Sequence, residues 1–240
     1  MYILGVDTST KYFSIAVSDT EKILGEIYFD IGLKHSELLY KYIDILLKET
    51  KIELENITKI GCSIGPGSFT GIRIGLSACR TISQLLNIPI VGISTLDILA
   101  GGIWKYFYSQ NCSVKKIVCP IIKSNSDEIY TAIYELKKGY RRLSDYMLLG
   151  IDDLIEKIFT EYLGQNNYDE IIFVGDIEYY YQKIANSKIK NLFILDTSVF
   201  NLLHASVLVK LAVDIKGEKY SKVKPLYIMP PRIRPLKMLE

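Results

Sequence analysis

The chain has 240 residues, 49% of them hydrophobic and 23% charged, a balance suited to one large soluble domain or two modest ones with a real core. Its 29 Lys+Arg against 27 Asp+Glu give a formal charge of +2, which excludes a strongly basic nucleic-acid coat protein. Cys62, Cys79, Cys112 and Cys119 form no Cys-x-x-Cys pair and no dense framework, so reduced thiols are expected rather than a disulfide scaffold.

Residues 1–25 lack the basic stretch, apolar run and small-residue cleavage site of a secretion signal, and no apolar run reaches membrane-spanning length. A cytoplasmic protein with no membrane partner is expected. Residues 2–6 (YILGV) form a short apolar strand, and the turn formers DTST (7–10) follow it. Two further strands at 12–19 and 22–30 complete an antiparallel meander. The spacing of Leu38, Leu39, Tyr42, Ile43, Leu46 and Leu47 predicts a helix over 35–50 with one apolar face. A strand at 59–65, a glycine-rich loop, a helix to about residue 86, a strand at 88–94 and a helix from Thr95 follow.

The second half repeats the rhythm. Strands are expected at 115–124, 128–136 and 142–150, then a helix at 151–165 and a strand at 168–176. A helix over about 177–187, a strand at 191–196 and a helix over about 201–215 close the series. Each half reads β-β-β-α-β-α-β-α, an internal structural duplication within an α/β fold. Beyond it, Pro225, Pro230, Pro231 and Pro235 predict an extended tail. From Lys210 onward eight basic residues (Lys210, Lys216, Lys219, Lys222, Lys224, Arg232, Arg234, Lys237) face three acidic ones (Asp214, Glu218, Glu240), so this segment could meet a phosphate backbone or be an ordinary solvated tail.

The loop GPGSFTGIRIG (65–75) is the most informative stretch. A glycine-rich turn between a strand and a helix N-terminus can aim backbone N–H groups at an anion. No Lys follows its last glycine, so it is not a Walker A loop, and it does not fit the Gly-x-Ser-x-Gly nucleophile elbow. Gly71 and Gly75 lie one helical turn apart with Ala78 beyond them, a small face that favours close packing over a phosphate cradle. Asp7 ends the first strand beside Thr8 and Ser9, and Gly175-Asp176 end a strand of the second half. Paired across a duplicated fold, these could hold a nucleotide phosphate and hydrated Mg²⁺, or could be two ordinary turns. His35 and His204 are the only histidines and form no metal-ligand cluster, so no metal site is expected.

LGVDTST (4–10), HSELL (35–39), IGPGSFTGIRIG (64–75) and IPIVGISTLDILA (88–100) occur in the order and spacing of the TsaB family. EIY (128–130), FVGD (173–176) and PLYIMPP (225–231) extend the resemblance more loosely. The resemblance implies the actin/Hsp70/sugar-kinase (ASKHA) fold, two duplicated lobes facing a cleft. The lobes would span 1–104, joined by the C-terminal segment 217–240, and 105–216. It also implies a non-catalytic partner of a TsaD-like catalytic subunit, which transfers a threonylcarbamoyl group onto the adenosine beside the anticodon of tRNAs reading A-starting codons. A TsaE-like ATPase would join them, and the chain alone would form a homodimer. The chain itself would require no cofactor, with room for ATP or ADP with Mg²⁺ at the complex, and the basic C-terminal segment is a candidate tRNA contact. A nucleotide-dependent enzyme of the same fold, an ATPase or kinase, is the alternative.

The family's pairing surface corresponds to helices 35–49 and 70–86, with His35, Leu38, Leu39, Tyr42, Ile43, Gly71, Gly75 and Ala78 as its expected residues. Gly75→Arg is expected to abolish pairing and leave the monomer folded. The chain departs from many relatives at KSNSDEIY (123–130), where Lys123 replaces an acid and Asn125 and Ser126 replace arginines. This departure favours a scaffold over an enzyme.

Overall fold

Two sheets with the same strand order organise the chain. Its structure, a computed structural model, describes residues 1–30, 35–108, 115–124, 127–137, 139–163, 168–187, 189, 192–194 and 204–228; the side chains of 35–37 and 106–108 are not among them.

The first sheet joins β1 (Tyr2–Asp7), β2 (Tyr12–Ser18), β3 (Ile23–Asp30), β4 (Ile57–Ser63) and β5 (Ile90–Ile93) in the order β3-β2-β1-β4-β5. The meander is antiparallel, and β4 and β5 run parallel to β1. Parallel strands need crossovers, supplied by α1 (His35–Thr50) and α2 (Phe69–Leu86). α3 (Thr95–Tyr108) follows β5. In the second half, β6 (Lys116–Lys123) is flanked by β7 (Glu128–Thr131) and β8 (Tyr134–Leu136) on one side and β11 (Glu170–Gly175) on the other. Beyond these lie β9 (Tyr140–Arg142), β10 (Met147–Gly150) and β12 (Leu192–Ile194). With β7–β8 and β9–β10 each taken as one broken strand, the order repeats that of the first sheet. The duplication is therefore a fact of topology.

The broken strands depart from the expected 128–136 and 142–150. Thr131 pairs with Ile121 and Tyr134 with Val118, so the register is continuous across the gap. Between them the Ile133 peptide leaves the ladder: Leu143 N donates to Ile133 O at 2.7 Å and Ile133 N to Ser144 Oγ at 2.9 Å. The expected helix 151–165 is α4 (Ile151–Lys157), widening into a π-helical turn (Ile158–Leu163). The expected helix 177–187 is a 3-10 turn (Ile177–Tyr179) and α5 (Tyr181–Ala185). The last helix, expected over 201–215, is α6 (Ala205–Asp214).

Alternation along the strands buries both faces of both sheets. On β1, Leu4 and Val6 join a core with Leu39, Leu46 and Leu76 of α1 and α2, while Ile3 joins Leu208 of α6. On β11, Ile171 and Phe173 meet Leu154 of α4, and Ile172 and Val174 face the central core. The layers run α1/α2, first sheet, α3/α6, second sheet, α4/α5. Each half contributes the inner helix that covers the other half's sheet: α6 lies on β1, β2 and β4, and α3 lies on β6 and β9. After α6 the chain returns to the first lobe. Ile90 and Glu218 exchange backbone hydrogen bonds of 2.9 and 2.7 Å, and Leu226 N donates to Ile64 O at 2.8 Å. Among the described residues no helix is long and apolar enough to cross a membrane.

Candidate functional site

The glycine-rich loop closes on the chain itself. Gly65 (φ 100°) and Gly67 (φ 149°) turn the backbone out of β4 through conformations that L side chains rarely adopt. Ser68 then caps α2, its Oγ accepting from Gly71 N at 3.2 Å. Ser68 N donates to Ser9 O at 2.6 Å, and a Cβ on Gly67 would stand 2.1 Å from that same oxygen. Thr8 Oγ1 donates to Gly71 O at 2.8 Å. The amide and space that a phosphate would need are thus filled by the β1–β2 turn.

Asp7, Thr8 and Ser9 are fully buried. Asp7 Oδ1 accepts from Ser9 N at 2.8 Å, Ser9 Oγ at 2.7 Å and Ser63 Oγ at 2.8 Å. A carboxylate oxygen with three donors holds the turn against β4 and leaves that oxygen no room for a hydrated cation. Asp7 Oδ1 is thus committed to the turn rather than to the Mg²⁺-nucleotide suggested by the sequence. Asp176 is differently built. Gly175 (φ 108°) turns the chain after β11, Asp176 N donates to Ile121 O at 2.8 Å, and Asp176 Oδ2 accepts from Lys123 N at 2.8 Å. Burial raises the Asp176 carboxyl above its ordinary value, against the opposing Lys123 amide. Asp7 ends the first strand of its lobe and Asp176 the fourth, so they are not duplicate positions. The Lys123 ammonium stands 3.8 Å over the Tyr179 ring. Asn125 and Ser126 lie outside the described residues, and no group of three or more His, Cys, Asp or Glu within them could hold a metal ion.

The helical residues expected at a pairing surface divide between inside and outside. A Cβ on Gly71 would meet Thr8 O at 2.1 Å, and one on Gly75 would meet Thr8 Oγ1 at 2.3 Å. The close approach they permit is therefore made to this chain's own first strand, and Gly75→Arg would disrupt the monomer rather than leave it folded. Ile43 is buried, and the Tyr42 ring packs 4.8 Å from Phe29 and 6.1 Å from Phe13 on the first sheet. Leu38 is half-buried; the side chain of His35 lies outside the described residues. Leu39 and Ala78 are buried as well, but they floor an open groove of about 520 Å³ between α1 and α2, with Tyr40, Phe69, Arg73 and Ile74 around it. Tyr40 is 57% exposed and Phe69 45%. Large aromatic side chains left in water beside an apolar floor have the composition of a protein-docking surface. The sequence analysis missed Tyr40, Phe69 and Arg73. Their signal was present, since Tyr40 and Arg73 each sit one residue out of phase with the buried Leu39 and Ile72.

A family model described as TsaD, tRNA N6-adenosine threonylcarbamoyltransferase, matches residues 31–228. The chain is 30% identical over 139 residues to the tRNA threonylcarbamoyladenosine biosynthesis protein TsaB of Bacillus subtilis (strain 168), covering 58% of this chain and 57% of that one. The chain thus spans a little over half the length of that relative. Among solved structures, YeaZ from Pseudomonas aeruginosa superposes with a TM-score of 0.76 at 24% identity, covering 95% of this chain and 99% of the other. An inorganic polyphosphate/ATP-glucomannokinase from Arthrobacter sp. strain KM superposes at 0.53 with 10% identity over 88% and 98%. These likenesses show the two-lobed fold shared with sugar kinases.

Proposed function

Since the chain belongs to the TsaD family and within it to the TsaB proteins, we propose that it is a non-catalytic partner subunit of the tRNA threonylcarbamoyl-transfer machinery. In this role it binds and supports a TsaD-like catalytic subunit, which moves the threonylcarbamoyl group onto the adenosine beside the anticodon of tRNAs reading A-starting codons. The observation that carries the proposal is the α1/α2 groove, an apolar floor rimmed by exposed Tyr40 and Phe69. The buried, triply bonded Oδ1 of Asp7 speaks against the alternative, an ATPase or kinase working from this carboxylate. A TsaE-like ATPase joins the assembled pair, with any ATP or ADP and Mg²⁺ held there. In the absence of its partner a second copy occupies the groove, and the basic C-terminal segment lies toward the tRNA. The setting is the cytoplasm.

The test is size-exclusion chromatography with light scattering, on the chain alone and mixed with the TsaD protein of the same organism. A one-to-one complex is expected, lost in Tyr40→Asp with the melting temperature unchanged. A wild-type chain that ignores TsaD overturns the function, and a Tyr40→Asp chain that pairs normally overturns the surface.

A further inference from the structure

Arg73 is the one charged side chain among the described residues that line the α1/α2 groove. It is held on two sides. Its guanidinium lies 3.8 Å over the Phe69 ring, and its Nε donates to the Tyr227 hydroxyl at 3.2 Å. Tyr227 is itself fixed: its ring packs 5.8 Å from that of Phe69, and the neighbouring Leu226 N donates to Ile64 O at 2.8 Å. So placed, a long side chain has little rotamer freedom left to lose on binding. The four N–H groups on its terminal nitrogens have no acceptor among the described residues. The Tyr227 hydroxyl, which accepts from Nε, keeps its own proton to donate.

We infer that Arg73, oriented by Tyr227, binds a carboxylate of the TsaD-like subunit, and that this contact sets the preference for that subunit over a second copy of the chain. The inference rests on the groove being the docking surface. A partner that covers the apolar floor strips water from the guanidinium. Burying a cation without an acceptor is costly, so the favoured partner supplies one. An aspartate or glutamate side chain fits, because the two oxygens of a carboxylate accept in parallel from the planar fork. A second copy does not offer this from the same patch. In a two-fold pairing each copy presents the identical surface, so the two groove linings bring two guanidiniums and no acid. One turn beyond Tyr40 on α1, Asp44 is already paired with Lys48 at 2.7 Å. Self-association therefore draws on the apolar contacts alone, with two cations left uncompensated.

The test compares wild type, Arg73→Met and Tyr227→Phe in the full chain. Dissociation constants are measured for the TsaD protein of the same organism at low and high salt, and self-association of each chain by analytical ultracentrifugation. Arg73→Met is expected to bind TsaD about tenfold more weakly, to lose the salt dependence that wild type shows, and to self-associate at least as tightly as wild type. Tyr227→Phe is expected to weaken TsaD binding about threefold. Melting temperatures are expected to stay unchanged. Unchanged TsaD binding by Arg73→Met overturns the contact, and a parallel loss of self-association overturns the preference. Unchanged binding by Tyr227→Phe overturns the orienting role of Tyr227. Arg73→Glu is then mixed with TsaD variants that each carry one Asp→Lys or Glu→Lys change. Recovery of binding by one of them is expected, and recovery by none overturns the carboxylate. A wild-type chain that does not bind TsaD overturns the docking function itself, a result distinct from all of these.

Discussion

The ammonium of Lys59, on β4, donates to the carbonyl oxygen of Ala212, near the end of α6, at 2.9 Å. It also reaches Val213 O at 3.0 Å and Ile215 O at 3.2 Å. One cation thus satisfies carbonyls that the end of α6 leaves open, where the helix dipole favours positive charge. It binds a helix of the second half to a strand of the first. Lys59→Met keeps the aliphatic stem and removes the charge. It should lower unfolding free energy by about 2 kcal/mol in urea denaturation. An unchanged midpoint would show that water replaces the ammonium at no cost.

Asp7→Ala leaves the hydroxyls of Ser9 and Ser63 buried without their acceptor. The expected loss is about 3 kcal/mol, visible as a lower thermal midpoint. ATP should shift the midpoints of wild type and variant equally, or not at all. An ATP-dependent rise confined to the wild type would restore a nucleotide role for this carboxylate.

Gly75→Ala drives a methyl group into Thr8 Oγ1. Overpacking of this kind costs about 2 kcal/mol. Thr8→Ala removes the obstructing oxygen, so the double variant should be less destabilised than the sum of the two single ones. The double-mutant cycle reports that coupling directly. Strict additivity would mean that the helix shifts to accommodate the methyl.

Two carboxyls give pH dependences of opposite sign. At Glu26, burial pushes the carboxyl up, but the His204 imidazole and the Ser206 amide together hold it below its ordinary value. A depressed folded value stabilises the protein above the unfolded pKa of about 4.3 and loses that contribution as pH falls through the folded value. Glu26→Gln should flatten the acid limb of the stability profile. Asp176 is raised by burial, so its contribution is full below its unfolded pKa of about 3.9 and is lost as pH rises through the folded value. Asp176→Asn should therefore gain stability relative to wild type between pH 3 and pH 7. Urea midpoints at pH 3, 5 and 7 measure both effects.

The first lobe was legible because its signals are local. Short apolar runs marked β1 and β2, the stripe through Leu39, Ile43 and Leu46 marked α1, and the glycine-rich loop marked the approach to α2. The breaks between β7 and β8 and between β9 and β10 were not legible. They depend on Ile133 bonding to Leu143 and Ser144, partners that alternation does not reveal. The same limit governed the site. Gly71, Gly75 and Ala78 announce a face that admits close approach, but spacing alone does not say whether a strand of the same chain or a helix of another makes it. Here the first two face Thr8.

The exchange of inner helices sets an order on the chain's own birth. A nascent protein emerging from the ribosome presents the first sheet long before residues 205–214 have been made. Until then the side of β1 and β4 that carries Gly5 and Gly61 is bare, because Leu208 and Val209 are the side chains that press against those glycines. The first hundred residues, although they hold a full set of strands, are therefore not a finished lobe. Release of the last helix is what seals the first strand, and a chain cut short within the second half would expose its oldest part to aggregation.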